Sequence, residues 1–382
     1  MQLFPSPTWT HGRKSASRGA GARQTITRLL GESGVRIDGR NAWDIRVLDE
    51  RFYERVLANG SLGLGESYMD GWWEVGDLDG FIFRLLSAKL DRRMRNWRDA
   101  LAWGIAALAN LQSVARAFQV GERHYDIGNE FYEAMLDRRM IYSCAYWQNA
   151  RTLDEAQKAK LELVFGKLGL DAGQRVLDVG CGWGGALSYA AERYGVSGVG
   201  ITIAREQAKY AREKCAGLPL EIRLQDYRSL GNTFDHIYSI GMFEHVGVRN
   251  YRNYMQVMRR CIRPDGRFLL HTIGGFDSTN HIDPWMNRYI FPNAVLPSQQ
   301  QIVRAIEGLF AVAGWQRIGP HYDATLLAWR ANFERFWVRG KHHFDERFRR
   351  MWHYYLSACA ASFRAGTVDV WQVLLAPLGR GT

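Results

Sequence analysis

RVLDVGCGWGG, residues 175–185, decides the fold. A short apolar run, Val176 to Val179, breaks into a loop with glycines at 180, 182, 184 and 185. GALSYAAERYG (185–195) then has the spacing of a helix. The same alternation continues outward on the C-terminal side. VSGVGIT (196–202), LEIRLQDY (220–227), FDHIYSI (234–240) and RFLLHTI (267–273) read as strands. REQAKYAREKCAGL (205–218) and YRNYMQVMRRCIRPDG (251–266) read as helices between them. Upstream, TLDEAQKAKLELVFGKLGL (152–170) is an amphipathic helix with Thr152 as N-cap and Glu155 as its capping-box partner. Strands alternating with helices of this length predict a parallel α/β sheet.

A glycine loop between strand and helix lets the backbone approach a ligand closely, above the strand ends. A dinucleotide site would want an acid about 20 residues further on for the ribose. Here the second strand ends in Gly200-Ile201-Thr202, while one acid, Asp178, directly precedes the loop and another, Asp226, follows the third strand. The loop resembles motif I of the S-adenosylmethionine-dependent methyltransferases, which implies a class I, Rossmann-like α/β fold. In that motif a carboxylate and backbone amides meet the amino-acid end of a sulfonium cofactor. Cys181 reads as a small side chain in a tight turn.

The chain has 382 residues, a net charge of +11, and 14 Trp, 17 Tyr and 18 Phe. So many aromatics exclude a disordered chain. A basic, aromatic-rich protein fits nucleic acid, an anionic membrane surface or an acidic small substrate. Five scattered cysteines without a C-x-x-C pair argue against a disulfide framework or a thiolate zinc site, so no metal is expected and a reducing cytosol fits. No apolar stretch approaches ~20 residues. Residues 1–24 read as a basic, disordered tail. Residues 25–91 read as a small α+β domain, with a helix in ITRLLGESG, a strand pair in VRIDG and DIRVLD, and a helix stopped by Asn59-Gly60. Residues 92–120 read as a helical linker that opens with the basic RRMRNWR, and 121–382 as the catalytic domain.

Several segments are specific when read together: GERHYDIGNEFY (121–132), MIYSCAYW (140–147), GMFEHVG (241–247), LLHTIG (269–274), DPWMNRYIFPN (283–293) and HYDATLLAW (321–329). They resemble the cyclopropane fatty acid synthases, from about Asp38 to Trp371. The likeness includes SLGLGESYMDGWWE (61–74), which the shorter mycolic acid synthases lack. It implies transfer of a methylene group from S-adenosylmethionine to the cis double bond of an unsaturated phospholipid acyl chain, through a carbocation. It also implies a bicarbonate ion acting as base, held by Cys144, Glu244, His271, the Ile273 backbone and Tyr322. Residue spacing by itself leaves Glu244 or His271 open as the base. For the cofactor the resemblance carries over Tyr142 and Ser143, the loop with Asp178, Gly180, Gly182 and Gly184, then Thr202 and Gln207, and Gln225, Asp226 and Tyr227. Cation–π contacts from Tyr142, Tyr146, Trp285, Tyr289, Phe291 and Tyr322 would stabilise the cation, about half of these rings being ordinary core. Cys359, in LSACAASFR, is a rival nucleophile whose helical apolar surroundings read more simply as core.

Two other readings stay open: a methyl-branching lipid methyltransferase of the same family, and a nucleic-acid methyltransferase, for which the positive charge would be natural. Methyltransferases acting on base nitrogens often carry Pro-Pro-Tyr/Phe after the fourth strand, where this chain has GMFEHVG. No nucleic-acid partner is therefore expected. On the lipid reading, Arg84, Lys89, Arg92, Arg93, Arg95, Arg98 and the 330–350 segment would face an anionic membrane, the protein being cytoplasmic and peripherally attached. The resemblance implies a homodimer.

Overall fold

A computed structural model describes residues 12–90, 127–340 and 342–379. The proposed linker at 92–120 lies outside the described residues. The chain divides into two compact units. The smaller contains residues up to 99 together with Phe344–Tyr354, and the larger contains the remainder.

In the smaller unit, helix α1 (Gly12–Glu32) lies along α2 (Arg51–Met69). Residues 12–24 are therefore helix and not tail. The reason is visible in hindsight: Ala22, Ile26 and Leu30 recur every fourth residue and are all buried. Gly60 does not end α2. With φ 57° and ψ −131° it kinks a helix that runs on to Met69. Strand β1 (Ile45–Val47) pairs antiparallel with β2 (Trp73–Val75), and Ile37 touches Ile45 through one isolated bridge only, so the expected local strand pair is replaced by a longer-range one. Helix α3 (Leu78–Ser87) follows, capped by Asp77, whose side chain accepts from Gly80 N. Trp73 is the centre of this unit's core, fully buried against Phe52, Tyr68 and Phe81.

The described part of the larger unit begins with α4 (Asn129–Met135) and α5 (Leu153–Leu168). The Thr152–Glu155 capping box forms as expected, and Gly169 ends α5 in the left-handed conformation. The alternation continues as β3 (Arg175–Val179), α6 (Gly185–Tyr194), β4 (Ser197–Thr202), α7 (Arg205–Lys214), β5 (Leu220–Leu224), β6 (Phe234–Ile240), α8 (Tyr251–Cys261) and β7 (Ile262–Gly275). Then come α9 (Pro284–Tyr289), α10 (Gln299–Ile306), β8 (Phe310–Arg317), α11 (Pro320–Val338), α12 (Glu346–Arg364) and β9 (Val368–Pro377). The sheet order is β5-β4-β3-β6-β7-β9-β8. The first five strands are parallel, and β9 runs antiparallel to both its neighbours. Strand β3, inside the sheet, is buried beyond Arg175, with Val176, Leu177 and Val179 inaccessible, as a strand covered on both faces must be. One boundary differs from expectation. The first turns of α12 belong to the smaller unit, so residues 121–382 do not form one continuous catalytic domain.

Candidate active site

The chain steps from β3 outward to β4 and β5, then crosses back to β6 on the other side. Loops leaving β3 and β6 therefore diverge, and in open α/β sheets the crevice at such a switch point holds the ligand. A cavity of about 190 Å³ lies there. Of the eleven residues assigned to the cofactor by sequence, ten line it: Tyr142, Ser143, Asp178, Gly180, Gly182, Thr202, Gln207, Gln225, Asp226 and Tyr227. Gly184 does not, and serves packing instead: a Cβ there would stand 3.0 Å from Cys215 Sγ. Gly182, with φ +52°, borders open space, so a methyl group would intrude on the cavity without meeting protein.

The loop is tied down by β4. The amides of Gly180 and Cys181 both donate to the Ile201 carbonyl (3.0 and 2.9 Å), so these two are not free to cradle a ligand. Thr202 Oγ1 donates to Gln207 Oε1 at 3.0 Å, which fixes both side chains where a ribose would lie. Asp226 accepts from Arg228 N and pairs with its guanidinium at 2.8 Å. Asp178 is nearly inaccessible, and burial pushes its carboxyl up to about 7 against the pull of the Tyr238 hydroxyl and the Lys160 ammonium. The residues present thus fit a zwitterionic nucleoside: polar ribose contacts at one end and a buried carboxylate at the other.

Met242 and His245 of the GMFEHVG segment also line the cavity, as does Lys160, which sequence reasoning missed. Lys160 is completely buried, and its Nζ donates to Ser143 Oγ at 3.0 Å. A signal was present. On α5 the buried positions include Ala156, Gln157, Lys160, Leu161, Val164, Phe165 and Leu168, so Gln157 and Lys160 are polar intrusions on an apolar stripe. Gln157 Nε2 donates to the carbonyls of Ile141 and Ser143, holding the 141–143 segment over the cavity. Tyr142 adds a hydroxyl contact to Tyr355 at 2.8 Å and packs its ring against Tyr132 and Trp329.

Adjoining the cavity is a drier cluster. Glu244 follows Met242 in the short turn after β6, and Oε1 accepts from Ile273 N at 2.7 Å. Oε2 is buried with no hydrogen-bond partner among the described residues. Burial pushes this carboxyl up to about 7, while the Ile273 amide and the Thr272 hydroxyl favour its charged form. The β-ladder and its flanks join the other members. Ile273 pairs with Val370, the Val370 carbonyl accepts from Ile318 N, and the Ile318 carbonyl accepts weakly from Cys144 Sγ at 3.8 Å. Tyr322 sits one helical turn beyond, at the start of α11, with its ring 4.7 Å from Phe363. His271 is buried on β7, 3.3 Å from Gln372, and burial together with the Lys160 and Lys167 charges holds its imidazole neutral. The cluster therefore offers one carboxylate with an unused oxygen, a neutral imidazole, a thiol held protonated by burial, and a phenol.

Not every expected residue converges. Cys359 lies on α12, does not line the cavity, and burial pushes its thiol up to about 12, which leaves it unreactive. Of the six aromatic residues proposed for charge stabilisation, Tyr142 and Phe291 line the cavity. Trp285 is fully buried with Tyr289 packed on it, and Tyr146 packs on His321. Among the described residues no group of three or more His, Cys, Asp or Glu side chains is placed to hold a metal ion.

Sheet order, reversed terminal strand and switch-point cavity define a class I S-adenosylmethionine-dependent methyltransferase fold. Residues 112–373 match the family described as mycolic acid cyclopropane synthetase, and the chain belongs to that family. It is 50% identical over 347 residues to the cyclopropane-fatty-acyl-phospholipid synthase of Escherichia coli, an alignment covering 91% of each chain. It is 33% identical over 344 residues to tuberculostearic acid methyltransferase UfaA1 of Mycobacterium tuberculosis, covering 83% of this chain and 79% of that one. Among solved structures, mycolic acid cyclopropane synthase CmaA1 complexed with SAH and CTAB superposes with a TM-score of 0.63 at 33% identity, covering 68% of this chain and 97% of that one. The chain is accordingly an enzyme of the S-adenosylmethionine-dependent cyclopropane synthase type.

Proposed function

We propose that this enzyme forms cyclopropane rings on the cis double bonds of phospholipid acyl chains, using the Glu244 cluster to hold a bicarbonate ion as base. The observation that carries this reading is the unused Glu244 oxygen, buried beside the cofactor cavity in an apolar, aromatic surround. When bound, the cofactor supplies an electrophilic methyl to the alkene and the anion accepts the proton that this methyl then loses, leaving the C–H electrons to close the ring.

The chain's own residues set the conditions. Ile273 N fixes the Glu244 carboxylate, so Oε2 keeps one orientation toward a donor such as the O–H of bicarbonate. Neutral His271 and the protonated Cys144 thiol tolerate an anion without adding a second negative charge. Burial excludes the water that would trap a carbocation as an alcohol. The rings of Tyr142 and Phe291 face the cavity, where each can lower the energy of a desolvated cation by up to ~2 kcal/mol.

Docking on an anionic membrane surface, peripheral and from the cytoplasm, and assembly as a homodimer are parts of the same proposal. No described helix is long and apolar enough to cross a membrane. The basic candidates thin out on inspection. Arg84 stacks on Trp43, Arg330 bonds to Ser357, Arg347 pairs with Asp70, and Arg350 donates to the Tyr68 and Trp73 carbonyls. Lys89 and Arg339 are exposed, the latter beside Val338, which is 82% exposed, while Arg92, Arg93, Arg95 and Arg98 lie outside the described residues.

The test is incubation with S-adenosylmethionine and vesicles of cis-unsaturated phosphatidylglycerol, followed by mass spectrometry of the fatty acid methyl esters. Saturated products heavier by one CH2 and carrying a ring support the proposal. A methyl-branched product would reassign the second step, and unchanged lipid would overturn the substrate. Release of the protein from the vesicles as salt rises is the expected signature of the electrostatic contribution.

A further inference from the structure

The cofactor reading leaves one buried charge without a task. Lys160 has no accessible surface, yet its ammonium borders the cavity. Burying an ammonium is costly unless its donors are satisfied. Of its three N–H groups, one is taken by Ser143 Oγ, which is its only hydrogen-bond partner among the described residues. Asp178 lines the same cavity, close enough for the two charges to act on each other, but no ion pair joins them. Asp137, the acid that acts most strongly on Lys160, has its oxygens engaged by the amides of Arg139 and Ile141. The cavity wall therefore presents a buried positive group and a buried negative group that no ion pair joins.

That arrangement is complementary to an α-amino acid in its zwitterionic form, with the ammonium toward the carboxylate and the carboxylate toward the ammonium. We propose that Lys160 binds the carboxylate of the cofactor's amino-acid end, with the Ser143 hydroxyl beside it and Asp178 taking the ammonium. The inference rests on the S-adenosylmethionine reading of this cavity and goes beyond it by assigning the residue that selects for an intact amino-acid end. It accounts for three otherwise unrelated facts: a lysine on the apolar stripe of α5, a serine turned inward, and the two bonds from Gln157 that hold the serine's segment in place. Once the ligand carboxylate is present, both remaining ammonium donors have an acceptor. Burial, which lowers the Lys160 pKa to about 8 in the empty cavity, is then opposed by a paired charge.

The test compares two ligands on two proteins by calorimetry: S-adenosylhomocysteine and its decarboxylated analogue, which keeps the ammonium and loses only the carboxylate. In the unaltered enzyme, removing the carboxylate should weaken binding by about tenfold to a hundredfold, as loss of a hydrogen bond to a charged group does. In Lys160→Met the two ligands should bind within about threefold of each other, because the partner of the carboxylate is gone. Equal binding of both ligands to the unaltered enzyme overturns the inference, and this arm needs no variant to fold. So does a Lys160→Met protein that still prefers the carboxylate by the original factor. If S-adenosylhomocysteine itself fails to bind the unaltered enzyme, the cofactor reading falls and this inference falls with it.

Discussion

The two halves of the site are built on different principles. The cofactor cavity is walled largely by backbone and loop ends. Gly180 and Gly182 line it without side chains, and carboxylate, amide and hydroxyl groups line the rest. The Glu244 region is the reverse: the side chain is buried in the turn after β6, held by the Ile273 amide of β7, and one carboxylate oxygen has no hydrogen-bond partner among the described residues. The first half resembles a socket whose shape does the selecting. The second is a buried carboxylate with one unpartnered oxygen, on which the proposed chemistry depends. Binding and catalysis should therefore respond separately to substitution.

The largest expected effect is on turnover. Glu244→Gln keeps an acceptor for Ile273 N but removes the charge, and should lower the rate of lipid modification by about 10²–10⁴-fold. S-adenosylhomocysteine affinity should stay within about threefold. A parallel loss of cofactor affinity would erase the distinction between the halves. The next effect belongs to the cavity. Asp178→Asn should weaken S-adenosylhomocysteine by about tenfold to a hundredfold, read by calorimetry, since a charge-assisted contact becomes a neutral one. A large fall in turnover at saturating cofactor would show that Asp178 reaches into the chemistry as well.

The last effect is on stability and has a definite sign. The Glu244 carboxyl titrates near 7 in the native protein but near ~4.3 when unfolded, so between these values the folded state holds the extra proton. Wild-type stability should therefore fall as pH rises through that window. The Gln variant lacks this titration. Measured by urea unfolding, its stability should gain on the wild type between about pH 5 and pH 7.5 and level off above, by at most about 3 kcal/mol. A constant difference across the window would show that the native carboxyl is not held up by burial.

How much of this could be read in advance follows the same division. The socket was legible because motif and contact coincide: the glycine loop, Asp178 and the Thr202 strand end are consecutive pieces of chain at the ends of parallel strands. The cluster proposed for catalysis is legible only through the family resemblance, because its members come from four separate stretches of chain. Lys160 was hidden in plain pattern, since a lysine on an amphipathic helix is ordinarily solvated and only its place on the apolar stripe tells otherwise. The smaller unit was read least well. Its strand pairing is long-range, Gly60 bends a helix where a Gly more often ends one, and residues 344–354 join it from far along the chain. Local propensity carries no information about such partners.

The cysteines carry a practical consequence. Cys144, Cys181, Cys215 and Cys261 are buried, and Cys359 is partly so. Burial moves every one of these thiols above its ordinary pKa, to about 11 for Cys215 and about 12 for Cys359. Alkylating agents and peroxides attack the thiolate, so the native enzyme should be indifferent to both at neutral pH. It should keep the buried Cys144 thiol intact under oxidative stress. A single cysteine placed on its surface could then carry a fluorescent label without removing any of the native five.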